Sequence, residues 1–90
     1  MKTIEREFKI VNKFGIHARP AALFVKTVGQ FQSDVQVFKD GNIASGRSIM
    51  SLLTLEGYCG SKLKISATGP DAEEALNAIG DLINAKFFED

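Results

Sequence analysis

Residues 62–84 read KLKISATGPDAEEALNAIGDLIN, and the period of their apolar residues changes once along the way. Leu63, Ile65 and Ala67 alternate with Lys62, Lys64 and Ser66, the period-two pattern of a strand with one face in a core and one in water. Thr68-Gly69-Pro70-Asp71 then has the make-up of a helix start, with Pro at an early position and acids following. Ala72, Ala75, Leu76, Ile79, Leu82 and Ile83 recur at helical spacing and define the clearest amphipathic helix of the chain. A one-sided strand beside a one-sided helix asks for a helix layer on a sheet.

The remaining residues supply the partners. Over residues 3–11, Ile4, Phe8 and Ile10 occupy even positions, interrupted by Arg6, and predict a half-buried strand. Residues 12–16 contain Gly15 and read as a loop. Over 18–28, Ala21, Phe24, Val25 and Val28 set one buried helical face, with Pro20 in the first turn, Gly29 as the stop and Leu23 on the exposed side. Val35 and Val37 mark a second strand, Asp40-Gly41 a tight hairpin turn, and residues 42–44 a short return strand, closed by Ser45 and Gly46. Residues 48–55 are nearly all apolar and predict a short helix starting near Ser48. Such a helix cannot bury every side, so part of Ile49, Met50 and Leu53 is expected to face solvent as a partner surface, with a buried segment as the alternative. Gly57 and Gly60 mark a turn. The order is strand, helix, strand, strand, helix, strand, helix. It implies an α+β fold, with helices on one face of a mainly antiparallel sheet.

Composition narrows the function. Ninety residues suit a single domain, and 44% hydrophobic residues suffice for a core. Eleven Lys plus Arg balance eleven Asp plus Glu, which argues against binding driven by nucleic-acid phosphates or a polybasic membrane attachment. One Cys, Cys59, and one His, His17, exclude an internal disulfide and any metal site of the usual Cys/His type. No run approaches a membrane span, and the first ten residues lack the apolar stretch of a secretory signal. The expected location is the cytoplasm, with no cofactor, no metal, no nucleic acid and no membrane insertion.

The chemistry concentrates at Gly15-Ile16-His17-Ala18-Arg19-Pro20. His17 stands where loop becomes helix, and a helix start offers unpaired N–H groups and a positive dipole end suited to a phosphate. That field disfavours imidazolium, and a neutral ring keeps a nucleophilic lone pair. Arg19 can supply a permanent charge and paired donors to phosphoryl oxygens. Taken without context, the same residues also suit a surface histidine near a helix cap. Asn12, in the loop before, suits either a hydrogen bond that orients His17 or a turn. Ser48 suits an N-cap.

The run Gly15-Ile16-His17-Ala18-Arg19-Pro20-Ala21 resembles the active-site signature of the histidine-containing phosphocarrier (HPr) family of the bacterial sugar phosphotransferase system. Arg47-Ser48-Ile49-Met50 is similar to the family's regulatory serine region, and the likeness spans essentially the whole chain. It implies an open-faced β-sandwich, a four-stranded antiparallel sheet with three helices on one face. It implies that His17 accepts phosphate on Nδ1 from Enzyme I and passes it to an EIIA domain. Arg19 would steady the phosphoryl group, the backbone near Ala18 and Arg19 would assist, and Pro20 would fix the helix entry. Ser48 would be the target of an HPr kinase/phosphorylase. Leu23, Arg47, Ile49, Met50 and Leu53 would form the partner surface of a monomer without independent turnover. A paralogue of the nitrogen branch and a non-catalytic interaction module are the alternatives; the Arg47–Met50 region favours the sugar carrier over the first, and His17 with Arg19 speaks against the second. The sequence departs from the family where Ser51 and Glu56 replace glycines and where Tyr58-Cys59 replaces small or polar residues. Cys59 reads as an incidental thiol. The acids Glu89 and Asp90 are candidates to approach Arg19.

Overall fold

The computed structural model describes residues 2–89. Strand β1 (Thr3–Lys9) is followed by helix α1 (Ala18–Val28), the hairpin β2 (Asp34–Lys39) and β3 (Asn42–Ser45), and helix α2 (Ile49–Thr54). Strand β4 (Lys62–Thr68), helix α3 (Ala72–Asn84) and a short 3-10 turn (Lys86–Phe88) complete the order. The sheet has the order β1-β4-β2-β3 with every pairing antiparallel. This is the α+β architecture expected, with the helices packed on one sheet face.

The alternation along β4 does what its period dictates. Leu63, Ile65 and Ala67 are fully buried beneath the helices, while Lys62 and Lys64 point to water. Ser66, read as part of the polar face, is buried as well, because β4 is central and flanked on both sides by β1 and β2. Arg6, the interruption on β1, lies at the edge and donates to Asn77 Oδ1 of α3 at 2.6 Å. Gly80 sits inside α3, where glycine weakens a helix. A Cβ there would come within 3.0 Å of the Phe8 ring, so the glycine lets β1 dock closely.

The turns follow local chemistry. Asp40 and Gly41 have φ of 50° and 83°, the paired positive values that a two-residue hairpin needs. Helix α1 ends at Gly29, but with φ −62°, so the stop there is not a left-handed cap. Pro70 precedes α3 rather than opening it; Asp71 is the N-cap residue. Its carboxylate accepts from the Ser33 hydroxyl at 2.5 Å and from the amides of Gln32 and Ser33, both at 2.9 Å. The Ser33 hydroxyl, then the Gln32 amide, hold the Asp71 carboxyl below its ordinary range. The start of α3 is thereby tied to the segment joining α1 to β2.

Two expected exposures change. Leu23 and Leu53 are half-buried and pack against the core, because α1 and α2 lie side by side and each covers part of the other. Val25, read as buried, is half-buried too. Ile49 and Met50 remain exposed, Met50 at 73%.

Candidate active site at the start of helix α1

The loop before α1 is shaped by one close approach. Gly15 has φ 68°, and a Cβ on it would lie 2.1 Å from the Gly57 carbonyl oxygen. Only glycine fits, on conformation and on space. The Gly57 carbonyl accepts the Ile16 amide at 2.7 Å, and Ile16 is buried. The turn after α2 therefore braces the residue next to His17. Glu56, where the family commonly has glycine, takes a left-handed φ of 54° in that turn. Tyr58 donates its hydroxyl to Glu56 Oε2 at 2.7 Å, which holds the phenol above its usual value. Two departures from the family pattern thus contact each other.

His17 is the N-cap residue of α1, in extended backbone, and its side chain does not cap the helix. Its carbonyl accepts the Ala21 amide at 3.0 Å. Pro20 has no N–H, and among the described residues the amides of Ala18 and Arg19 have no partner. No acid stands in the first turn. The positive end of the helix is therefore open next to the imidazole.

The ring is partly exposed, with 42% of the side chain accessible. Nε2 lies 3.0 Å and 3.2 Å from the two carboxylate oxygens of Glu89. A carboxylate only accepts, so Nε2 carries the hydrogen and donates, and in the neutral ring the lone pair is on Nδ1. Phe14 meets the ring edge to face at 6.2 Å between centroids.

Glu89 reaches this place through an unusual stretch of backbone. Lys86, Phe87 and Phe88 have φ of 56°, 53° and 60°, three consecutive non-glycine residues in the left-handed region. Each costs about 1 kcal/mol or more. Burying the Phe87 ring, which is fully covered, contributes about 1.5–3 kcal/mol in return. The Phe88 and Glu89 amides close the turn on Ala85 and Lys86.

Asn12 is fully buried. Its Nδ2 donates to the Gly15 carbonyl at 2.7 Å and to Glu89 Oε1 at 3.1 Å. The first bond closes the loop, the turn role read from sequence. The second makes its link to His17 indirect, since no hydrogen bond joins the two side chains. Glu89 approaches His17 rather than Arg19, whose side chain is exposed and has no hydrogen bond or ion pair among the described residues; Asp90 lies outside those residues.

The second motif is arranged differently. Ser48 caps α2, its Oγ accepting the Ser51 amide at 3.2 Å. Arg47 donates from one Nη to the carbonyls of Phe31 and Ser33, at 3.0 and 3.1 Å, so it clamps the chain before β2 as well as standing at the surface. Exposed Phe14 was the site feature missed in the sequence, and Glu89, read as a candidate partner of Arg19, meets His17 instead. An aromatic in a loop, outside any apolar period, was the available signal for Phe14.

Residues 4–85 match the family model described as PTS HPr component phosphorylation site. The chain is similar to the crystal structure of HPr-C-His from Thermoanaerobacter tengcongensis, with a TM-score of 0.92 and 47% identity, covering 100% of this chain and 99% of that one. It is 38% identical over 86 residues to the phosphocarrier protein HPr of Neisseria meningitidis serogroup A, covering 96% of this chain and 97% of that protein. It is also 44% identical over 85 residues to the multiphosphoryl transfer protein of Escherichia coli O157:H7, where the match takes in 91% of this chain but only 23% of that longer protein. The chain belongs to the HPr family, the phosphocarriers that relay phosphoryl groups between Enzyme I and EIIA in the phosphotransferase system and are not themselves enzymes.

Proposed function

We propose that His17 is the residue that carries the phosphoryl group, through Nδ1. The observation that carries this reading is the pairing of a partly exposed imidazole, its Nε2 engaged by Glu89, with two unpartnered amides at the same helix start. Nδ1 supplies the electron pair for the new N–P bond. The bond from phosphorus to its donor atom on Enzyme I breaks, and that pair stays with the donor. The amides of Ala18 and Arg19 and the exposed guanidinium of Arg19 receive the phosphoryl oxygens. Pro20 contributes a fixed φ at the helix entry and no competing donor. Asn12 holds the loop in shape. A carrier with so few ligands stabilises its phosphorylated state weakly, which suits onward transfer, and the partner completes the transition-state site.

In this reading Enzyme I and EIIA dock over Ile49 and Met50, with Leu23 and Leu53 filling the half-buried floor and Arg47 at the rim. The chain serves the sugar branch as a cytoplasmic monomer. Ser48 is a regulatory site for an HPr kinase/phosphorylase: a phosphate there adds roughly two negative charges beside the docking face and weakens it toward acidic partners. Incubation with phosphoenolpyruvate and Enzyme I tests the assignment. Acid-labile phosphate on the chain, absent in His17→Ala, is the expected result; label retained in that variant would reject His17.

A further inference from the structure

We propose that Glu89 is a positioning residue for phosphoryl transfer: its carboxylate holds the Nε2 hydrogen of His17, both before and after Nδ1 is phosphorylated. The inference rests on the reading of His17 as the acceptor and goes beyond it, to what fixes the ring and how firmly the phosphoryl group is then kept.

Four observations carry it. Both oxygens of the carboxylate lie within hydrogen-bond distance of the same ring nitrogen. The carboxylate is only 17% exposed, so water does little to dilute the contact. Asn12, wholly buried, spends one Nδ2 hydrogen on Glu89 Oε1 and the other on Gly15, which ties the acid to the loop that carries the imidazole. The three left-handed residues before Glu89, anchored by buried Phe87, aim it back at α1. Backbone held in a sparsely populated region by its surroundings is a mark of a functional position.

The consequence follows from charge. In the resting ring the Nε2–H bond selects the tautomer whose lone pair is on Nδ1. When Nδ1 forms its bond to phosphorus, no proton leaves Nε2, and the ring becomes a cation facing the carboxylate. The pairing of that cation with the carboxylate exists only while the phosphoryl group is in place, so it stabilises the phosphorylated ring. The carboxylate also repels the phosphoryl oxygens, but these lie across the ring on Nδ1, farther from it than Nε2. The attraction prevails, and Glu89 and the amides of α1 both help to keep the phosphoryl group until a partner removes it.

The test uses three proteins, the unaltered chain, Glu89→Ala and Glu89→Gln, none of which disturbs Phe87. Nitrogen-15 NMR of the unphosphorylated chains reads the ring directly. A resolved, exchange-protected Nε2–H is expected in the unaltered protein. It persists in Glu89→Gln, whose side-chain carbonyl still accepts, and is lost in Glu89→Ala. After loading with Enzyme I and phosphoenolpyruvate, the phosphorylated state of Glu89→Gln is expected to decay about threefold to tenfold faster at neutral pH than that of the unaltered chain, since the counter-charge of the ring is gone while the hydrogen bond stays. An Nε2–H signal unchanged in Glu89→Ala, or a lifetime unchanged in Glu89→Gln, would overturn the proposal. The NMR arm needs no phosphate, so a failure of His17 to accept one leaves that arm readable and separates the two readings.

Discussion

Helices α1 and α3 begin in opposite ways. At α3 the N-cap is Asp71, its carboxylate consumed by Ser33 and the Gln32 amide, and Glu73 and Glu74 stand in the first turn against the positive end of the dipole. At α1 the N-cap is a histidine whose side chain does not cap, the first turn holds no acid, and Pro20 removes one donor without satisfying the others. Each helix buries one amphipathic face. At neither is the N-cap side chain bonded to the first-turn amides; the difference is charge, with Asp71, Glu73 and Glu74 at the positive end of α3 and no acid in the first turn of α1. In the proposed reading, forgoing acidic stabilisation at α1 is what lets its first turn receive a phosphoryl group.

Making α1 resemble α3 should break the function most. Ala18→Glu places an acid in the first turn, as Glu73 does in α3. Phosphoryl uptake from Enzyme I is expected to fall at least about tenfold, since the new charge meets the phosphoryl oxygens. Thermal unfolding should shift slightly upward, by the equivalent of about 0.3–1 kcal/mol. Opening α3 should do the reverse. The Asp71 carboxyl is lowered in the folded chain, so its contribution is present above the ordinary carboxylate range and is lost as pH falls through the lowered folded value. Asp71→Asn should therefore unfold earlier than the unaltered chain at neutral pH. The gap should close as both are taken from about pH 5 toward about pH 2, with phosphoryl uptake at neutral pH unchanged. The smallest effect belongs to Glu73→Gln with Glu74→Gln, about 0.3–1 kcal/mol of stability per acid, measured by urea unfolding, and none on uptake.

The parts of the fold legible in the sequence were those set by local period and turn chemistry. The alternation of Leu63, Ile65 and Ala67, the helical spacing from Ala72 to Ile83 and the Asp40-Gly41 hairpin each carry their geometry in neighbouring residues. His17 could be placed at a helix start for the same reason, with Pro20 and Gly15 on either side. What was not legible depends on residues far apart in the chain. Glu89 meets His17 across 72 positions, by way of a left-handed turn that Lys86, Phe87 and Phe88 do not favour and that the burial of Phe87 helps to sustain. The half-burial of Leu23 and Leu53 arises from two helices lying side by side, which neither helix encodes alone. One local feature was not legible either: Glu56 takes a left-handed conformation where a glycine would have been the expected residue. Arg47 was read as a contact for partners; its use of the Phe31 and Ser33 carbonyls belongs to the fold and had no local sign.

The position of the phosphoryl group on the imidazole is the most direct measure of whether this open helix start does what its geometry suggests. Nitrogen-15 and phosphorus-31 NMR of the chain loaded by Enzyme I should locate phosphorus on Nδ1 of His17, with the hydrogen still on Nε2. Phosphorus on Nε2, or on a residue other than His17, would contradict the account.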